Sequence, residues 1–336
     1  MKAVGLYQYL PIENEESLLD VEVPKPKATG KDLLVKINAI SINPVDVKVR
    51  APKDAIENEP KILGWDASGV VEEAGEDCEL FQPGDTVYYA GDITRQGSYS
   101  EYQLIDERIV GKKPSNLSFA EAAAMPLTTI TAWEGIYDRL GITEKDKGKT
   151  ILIINGAGGV GSIATQIAKY AGLKVIATAS REETKNWCEK MGADVIINHR
   201  ENLLQQLNDE GIGEVDYIFC LNDTDGHWDG MGEAIKPQGS ICSIVENEKD
   251  LDLNVLKSKS VTFVWEFMYT RSMFQTEDMI EQHRLLNKVS DLFEEGIFQT
   301  TLTKTFQPIN AEQLKKAHKE VESGKMIGKL IVENEA

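Results

Sequence analysis

The residues best placed to do chemistry stand in one run, Ile154-Asn155-Gly156-Ala157-Gly158-Gly159-Val160-Gly161. The run has G-x-G-x-x-G spacing. An apolar stretch, 150–155, leads into it, and an amphipathic one, 160–171, follows. Between strand and helix, the first glycine permits a tight turn and the second lets an oxygen-rich group approach the backbone. The third lets helix and strand pack closely. The helix start then offers unsatisfied N–H groups and a favourable dipole to a pyrophosphate. Gly156, Ala157, Gly158, Gly159 and Val160 are therefore the expected contacts for a dinucleotide, with a merely structural turn as the competing reading.

The ribose partner is read about 20 residues further on, at the end of the second strand. That segment is Ala177-Thr178-Ala179-Ser180-Arg181. The carboxylate that would accept from a ribose 2′-hydroxyl is missing. Ser180 and Arg181 offer a hydroxyl and a guanidinium, the pair suited to a 2′-phosphate. NADP(H) is the expected cofactor. The run 180–183 also reads as a helix-capping box, which is compatible with that role. His199, after the next strand, is expected to stack on adenine or touch the 2′-phosphate; the alternative is a lone surface histidine.

The elements that must hold these residues follow from the period of the apolar pattern. To about residue 110 the chain reads as short strands, at 1–7, 32–40, 67–74, 85–90 and 99–105, separated by Pro and Gly turns. That predicts a small antiparallel barrel or sandwich. Ser118 and Glu121 form a capping-box pattern, so a helix starts there. Strands at 150–155, 174–179, 194–198, 215–220 and 239–245 then alternate with helices such as 160–171 and 180–191, which predicts a parallel sheet. The aromatic stretch 260–270 reads as a long strand, 276–295 and 311–323 as helices, and 328–332 as a closing strand.

Bulk composition excludes several partners. Among 336 residues, 55 Asp and Glu face 36 Lys and Arg, a formal charge of -19. Such a surface repels phosphate backbones and anionic lipid, so neither nucleic acid nor a membrane is an expected partner. No apolar run approaches the ~20 residues of a membrane span. The first residues lack a signal-peptide pattern, and the expected location is cytoplasmic. The four cysteines are scattered, with no pair at metal-ligand spacing, and are expected to be free thiols.

Taken together, the chain resembles the medium-chain dehydrogenase/reductase superfamily, and most of all its zinc-independent, quinone oxidoreductase-like branch. The resemblance spans nearly the whole chain. It is carried by the runs 42–46 (INPVD), 64–69 (GWDASG), 81–85 (FQPGD), 97–102 (GSYSEY), 122–132 and the glycine loop. It implies an α/β protein: a GroES-like β-rich catalytic domain at 1–125 and 265–336, with a Rossmann doubly wound domain inserted at 126–264. Proteins of this kind often carry a zinc-type alcohol dehydrogenase-like label. Carried over, the catalytic zinc ligand positions hold Asn43, Trp65 and Leu127, none a thiolate, imidazole or carboxylate. The structural zinc lobe is also missing, because 88–113 contains no cysteine. No zinc is expected. Without a Lewis acid to stabilise an alkoxide, simple alcohol oxidation is not the expected reaction.

The resemblance implies instead NADPH-dependent reduction of a small-molecule quinone, enone or other activated carbonyl. Alternatives are an enoyl-thioester reductase, which would need a basic tunnel, and a non-catalytic NADPH-binding protein. It places Asn43 and Thr131 beside the nicotinamide, with Asn43 as the polar group at the reacting centre. Asn43-Pro44-Val45-Asp46 also reads as a helix start, with Asp46 as its structural acid. Lys48 stands where many relatives have Tyr, and is a candidate proton donor; a solvated lysine is the alternative. Trp265, Phe267 and Met268 fall on the strand that in relatives lines the nicotinamide and pairs across a two-fold axis, so Phe267 and Met268 are expected cofactor contacts and a homodimer is expected. Lys329 is expected to reach the cofactor phosphates, or else to be an idle exposed lysine.

Overall fold

Turn-separated apolar runs become the first strands of the computed structural model, which describes residues 1–334. These are β1 (Lys2–Tyr9), β2 (Leu19–Glu22) and β3 (Asp32–Ile42), then α1 (Pro44–Arg50), β4 (Lys53–Ile62), β5 (Asp66–Ala74), β6 (Thr86–Tyr89), β7 (Tyr102–Asp106) and β8 (Val110–Lys112). Two short helices follow, α2 (Phe119–Ala123) and α3 (Pro126–Trp133). The α/β middle runs β9 (Thr150–Ile154), α4 (Gly159–Tyr170), β10 (Lys174–Thr178), α5 (Glu182–Lys190), β11 (Val195–Ile197), α6 (Leu203–Asp209), β12 (Val215–Cys220), α7 (Thr224–Ala234), β13 (Ile235–Ser243), α8 (Asn254–Lys257) and β14 (Thr262–Trp265). The chain ends on α9 (Thr270–Phe274), α10 (Glu281–Glu294), β15 (Leu302–Phe306), α11 (Ala311–Glu322) and β16 (Lys329–Glu333).

Two compact units result. The first comprises Met1–Ile130 and the segment from Tyr269 through β16; the second is Thr131–Met268. In the first, β3 is the spine. Antiparallel β5 lies along one side of it, while β7 and β16 share the other, at its opposite ends. The sheet order is β15-β16-β3-β5-β6-β8, and β2-β1-β4 form a second, three-stranded sheet. This is the GroES-like unit.

The second unit is a six-stranded, all-parallel sheet of order β11-β10-β9-β12-β13-β14. β9 is central, because the chain first winds outward through β10 and β11 and then returns to β12 on the other side. Ligands of such doubly wound sheets sit where that reversal occurs, at the carboxyl ends of the strands. Leu152, Ile154, Ile176 and Ile218 pack with Trp228 and Met231 on one face, and Ala157, Ala177, Ala179 and Cys188 on the other. Strands buried on both faces need continuous apolar runs, which is what TILII in β9 supplies.

Two elements differ from the sequence expectation. The stretch 260–270 is not one long strand: only Thr262–Trp265 is extended. Its partner β13 ends at Ser243, opposite Trp265, and the next residue, Glu266, turns inward and is 2% exposed. Residues 53–62 form a strand that the pattern did not reveal. It is an edge strand, largely exposed, carrying Lys, Asp and Glu and interrupted by Pro60. Charges and proline protect such an edge from pairing with another chain, and they also erase the apolar alternation.

Candidate functional site

In the Rossmann unit the glycine turn begins at Asn155, whose backbone is left-handed at φ 68°. A Cβ on Gly156 would stand 2.7 Å from the Ala177 Cβ, and one on Gly161 would stand 2.4 Å from the Asn155 carbonyl oxygen and 2.6 Å from that of Gly156. These two glycines are required by close packing of loop, helix and sheet. Gly158 differs. It occupies the N-cap of α4 with an ordinary extended backbone and no side-chain cap, so the first-turn N–H groups remain open to an anion. Gly159 and Val160 begin that helix, and both are half-buried. The Ala157 side chain is buried against Ala177 and Cys188, which leaves only its backbone for a ligand. The turn fits a dinucleotide pyrophosphate.

At the end of β10, the cap of α5 is Arg181 rather than Ser180: the Arg181 N–H donates to Thr184 Oγ1 at 3.1 Å. The chain is still extended at Arg181, so the helix starts one residue later than the Ser180–Glu183 pattern suggests. The Arg181 guanidinium is about one-third exposed, and pairs with Glu183 at 2.6 Å. Ser180 is half-buried beside it. His199 lies just past β11, with Nδ1 3.3 Å from Thr178 Oγ1. Thr131 is 4% exposed within α3. Trp265, the last residue of β14, and Phe267 just beyond it are 43% and 47% exposed, whereas Met268 is buried.

A second polar cluster forms inside the GroES-like unit. Asn43 is the N-cap of α1, Pro44 follows, and the Asp46 carboxylate accepts the Asn43 N–H at 2.7 Å. Asn43 itself is 1% exposed. Its Nδ2 donates to Asp66 Oδ2 at 3.1 Å, and its Oδ1 accepts from the Lys329 ammonium. Lys329 also lies 3.4 Å from Asp66 Oδ2 and from the Ile42 carbonyl. Asp66 Oδ1 accepts the Leu127 N–H at 3.1 Å. Burial drives the Asp66 carboxyl up and the Lys329 ammonium down, each partly countered by the other's charge. Burial likewise lifts the Asp46 carboxyl to about 7, against the Asn43 N–H and the Lys329 charge.

This cluster corrects one expectation. Lys329 is not an idle exposed lysine: it is 3% exposed, with its ammonium engaged inside the unit. The Asn43 amide is also engaged, so Asn43 both caps α1 and anchors the cluster. Lys48 lies on the exposed side of α1. Asp66 was not singled out from sequence as a site residue, although an aspartate flanked by Trp65 and Ala67 in an apolar run is itself a signal of a buried, paired carboxylate.

The three positions that would ligate a catalytic zinc do not fit one. Asn43 is held as above. Trp65 is fully buried, its indole N–H 3.3 Å from the Arg95 carbonyl and its ring edge-on to Tyr269. Leu127 has a hydrocarbon side chain. Zinc needs thiolate, imidazole or carboxylate donors. Among the described residues, no three His, Cys, Asp or Glu side chains group to hold a metal. The cysteines among them are free, and burial raises the thiols of Cys188, Cys220 and Cys242. No helix of the described chain is long and apolar enough to cross a membrane.

Residues 29–115 match the family described as alcohol dehydrogenase GroES-like domain, and residues 159–282 the one described as zinc-binding dehydrogenase. A zinc-type alcohol dehydrogenase-like protein of Staphylococcus aureus (strain MSSA476) is 48% identical over 99% of both chains. The NADPH-dependent alkenal/one oxidoreductase, chloroplastic, of Arabidopsis thaliana is 35% identical over 67% of this chain and 58% of its own. A solved structure from Rhizobium etli CFN 42 is 47% identical, covers 100% of this chain and 98% of its own, and superposes with a TM-score of 0.95. With a GroES-like unit, a Rossmann unit and relatives over its full length, the chain belongs to the medium-chain dehydrogenase/reductase superfamily of oxidoreductases, among the zinc-type alcohol dehydrogenase-like proteins.

Proposed function

We propose that this oxidoreductase takes NADPH and, without zinc, reduces a quinone, enone or other activated carbonyl. The observation that carries the reading is the end of β10. The glycine turn is intact, no carboxylate follows at the ribose position, and Ser180 and Arg181 stand there instead. The misfit of Asn43, Trp65 and Leu127 to a metal supports the choice of substrate, because a conjugated carbonyl needs less polarisation than an alcohol. The Arabidopsis relative, an alkenal/one oxidoreductase named for its use of NADPH, agrees with it.

When bound, NADPH supplies a hydride. The chain's residues bind, orient and balance charge. The backbone of 156–160 cradles the pyrophosphate, Ser180, Arg181 and His199 meet the adenosine end, and Thr131, Phe267 and Met268 serve the nicotinamide end. In the GroES-like unit, Asn43 is held rigid by Asp66 and Lys329, and the exposed ammonium of Lys48 serves as proton donor to the reduced substrate. Two chains associate through the exposed β14 edge.

The test is direct binding. NADPH should bind at least tenfold tighter than NADH, about 1.4 kcal/mol. Arg181→Ala should weaken NADPH and leave NADH nearly unchanged. Equal dissociation constants for the two cofactors in the native protein would overturn the reading.

A further inference from the structure

Two carboxyl groups lie buried together in the Rossmann unit, and one arginine serves both. Glu134 is 0% and Glu266 2% exposed. Arg139 Nε donates to Glu266 Oε2 at 2.8 Å, and Arg139 Nη2 stands 4.0 Å from Glu134 Oε2. The Glu134 carboxyl is itself a hydrogen-bond partner of Glu266. A hydrogen bond between two carboxyl groups requires a proton on one of them. Charge gives the same count. The guanidinium is permanently protonated and balances one carboxylate, whereas a second carboxylate charge in the same buried site would meet the first at close range.

Local structure brings these groups together. Glu134–Arg139 is a π-helical turn that continues α3, with the Leu140 N–H donating to the Gly135 carbonyl at 3.0 Å. Bonding from i to i+5 sets residues five apart one above the other, as Glu134 and Arg139 are, whereas in an α-helix the neighbours are three and four apart. The turn is seated on the sheet, since a Cβ on Gly135 would stand 2.4 Å from the Phe219 ring of β12. Glu266 comes from the other side. Its N–H still donates to the Ser243 carbonyl of β13 at 2.9 Å while its side chain turns in. The titratable and charged groups facing it are Glu134 and Arg139 from the turn and Cys242 from β13, whose thiol is raised by burial and then by the Glu266 charge.

The place of the pair gives it a task. Thr131 stands three residues before Glu134, and Phe267 and Met268 directly follow Glu266. We propose that Glu134 and Glu266 are positioning residues for the nicotinamide end of the cofactor: the one proton they share pins the segment after β14 to the end of α3, and so sets the spacing of Phe267 and Met268 from Thr131. The proposal rests on the cofactor reading above. It concerns the nicotinamide, which NADPH and NADH have in common, and is independent of the group at the adenosine ribose.

The sign of the pH dependence follows. Burial, and then the Glu134 charge, lift the Glu266 carboxyl to about 9, with Arg139 pulling it down. The pair keeps its proton through neutral pH. Once the proton leaves, two carboxylates repel across the same gap and the pin opens. Affinity for NADPH and NADH alike then falls as pH rises further, by at most about tenfold per pH unit for one proton. Folding stability has the same sign. An unfolded glutamate has lost its proton above pH ~4.3. The stability owed to the shared proton is therefore complete below that pH and is lost as pH rises through about 9.

The experiment is calorimetric titration of the full chain at pH 7.5, 8.5, 9.5 and 10 with NADPH, with NADH, and with adenosine 2′,5′-bisphosphate, which carries no nicotinamide. Both dinucleotides should weaken by about tenfold between pH 8.5 and 10, and the bisphosphate should change little. Glu266→Gln supplies an amide N–H in place of the shared proton and leaves Arg139 its oxygen. It should keep most of the affinity at pH 7.5 and lose the alkaline fall, and Glu134→Gln should do the same from the other side. Glu266→Leu breaks the pin and should weaken both dinucleotides about tenfold at pH 7.5, with the bisphosphate unchanged. Denaturant unfolding is the second measurement: between pH 5.5 and 8.5 the native folding constant should fall relative to that of Glu266→Gln, by at most about tenfold per pH unit. An alkaline fall that persists in both glutamine variants, or that the bisphosphate shares, would overturn this assignment alone, as would an unfolding difference that does not move with pH. Equal native affinity for NADPH and NADH would overturn the cofactor preference, while an alkaline fall common to both would still support the pin. Binding of neither dinucleotide would overturn both.

Discussion

Gly158→Ala and Gly161→Ala should fail in opposite ways, because the two glycines are needed for different reasons. At Gly158 the nearest atom to an added Cβ is Asn155 Nδ2 at 2.9 Å, the end of a side chain that can move, and the next is 3.5 Å away. The backbone there, φ -69° and ψ 173°, suits any L-residue. Folding should lose about 1 kcal/mol or less, the usual cost of alanine at an N-cap. On the proposed cofactor reading, a methyl group at this N-cap crowds a pyrophosphate docking on the helix start. NADPH affinity should drop tenfold or more, about 1.4 kcal/mol. At Gly161 the obstacles are backbone: Asn155 O at 2.4 Å, Gly156 O at 2.6 Å and Gly156 C at 2.7 Å. Overpacking of that kind costs about 1–3 kcal/mol, which for a unit of this size lowers its melting temperature by roughly 2–12 °C. Scanning calorimetry of the full chain reads the second effect and titration with NADPH the first. A Gly158→Ala protein with native NADPH affinity would refute the cradle, and a Gly161→Ala protein with native melting would refute the packing argument.

Lys329→Met leaves the Asp66 carboxylate buried without its cation, and should cost about 3–5 kcal/mol of stability at pH 7.5. Burial already lifts the Asp66 carboxyl, and losing the lysine lifts it further, so protonation relieves the defect and the cost should shrink toward pH 5 in denaturant melts. A pH-independent loss would count against it. Lys48→Ala should lower turnover tenfold or more, roughly 1.4 kcal/mol of transition-state stabilisation, with NADPH affinity little changed; a kinetically silent variant assigns Lys48 to solvent. Light scattering at micromolar concentration should show twice the 37.3 kDa chain mass. The motive is the β14 edge, with Trp265 and Phe267 exposed on and beside it. A single chain-mass species would refute the dimer.

The parts of the site legible in the sequence are those encoded by steric need. Gly156 and Gly161 are glycines because a Cβ would collide, and that need leaves a fixed spacing. TILII in β9 was legible for a similar reason, since a strand covered on both faces must be apolar throughout. What the sequence hid depends on distant partners. Lys329 reads as a surface charge until Asp66, 263 residues away, and Asn43, 286 away, are brought to it. The stretch 260–270 looks like one strand because its residues favour extension. The length of β13 and the inward turn of Glu266 toward Arg139, 2.8 Å away, decide where it stops. The charged edge strand 53–62 carries no alternation to read, because only its end is buried.

The central claim is hydride delivery from NADPH to an activated carbonyl without zinc. Its most direct test is the rate of absorbance loss at 340 nm when chelator-washed protein, shown by elemental analysis to hold far less than one zinc per chain, is mixed with a panel of quinones and enones. NADPH should be oxidised only when an acceptor is present, at a rate well above that with NADH and unchanged by added zinc. Activity that vanishes on chelation and returns with one equivalent of zinc, or that runs equally well on NADH, would contradict the account.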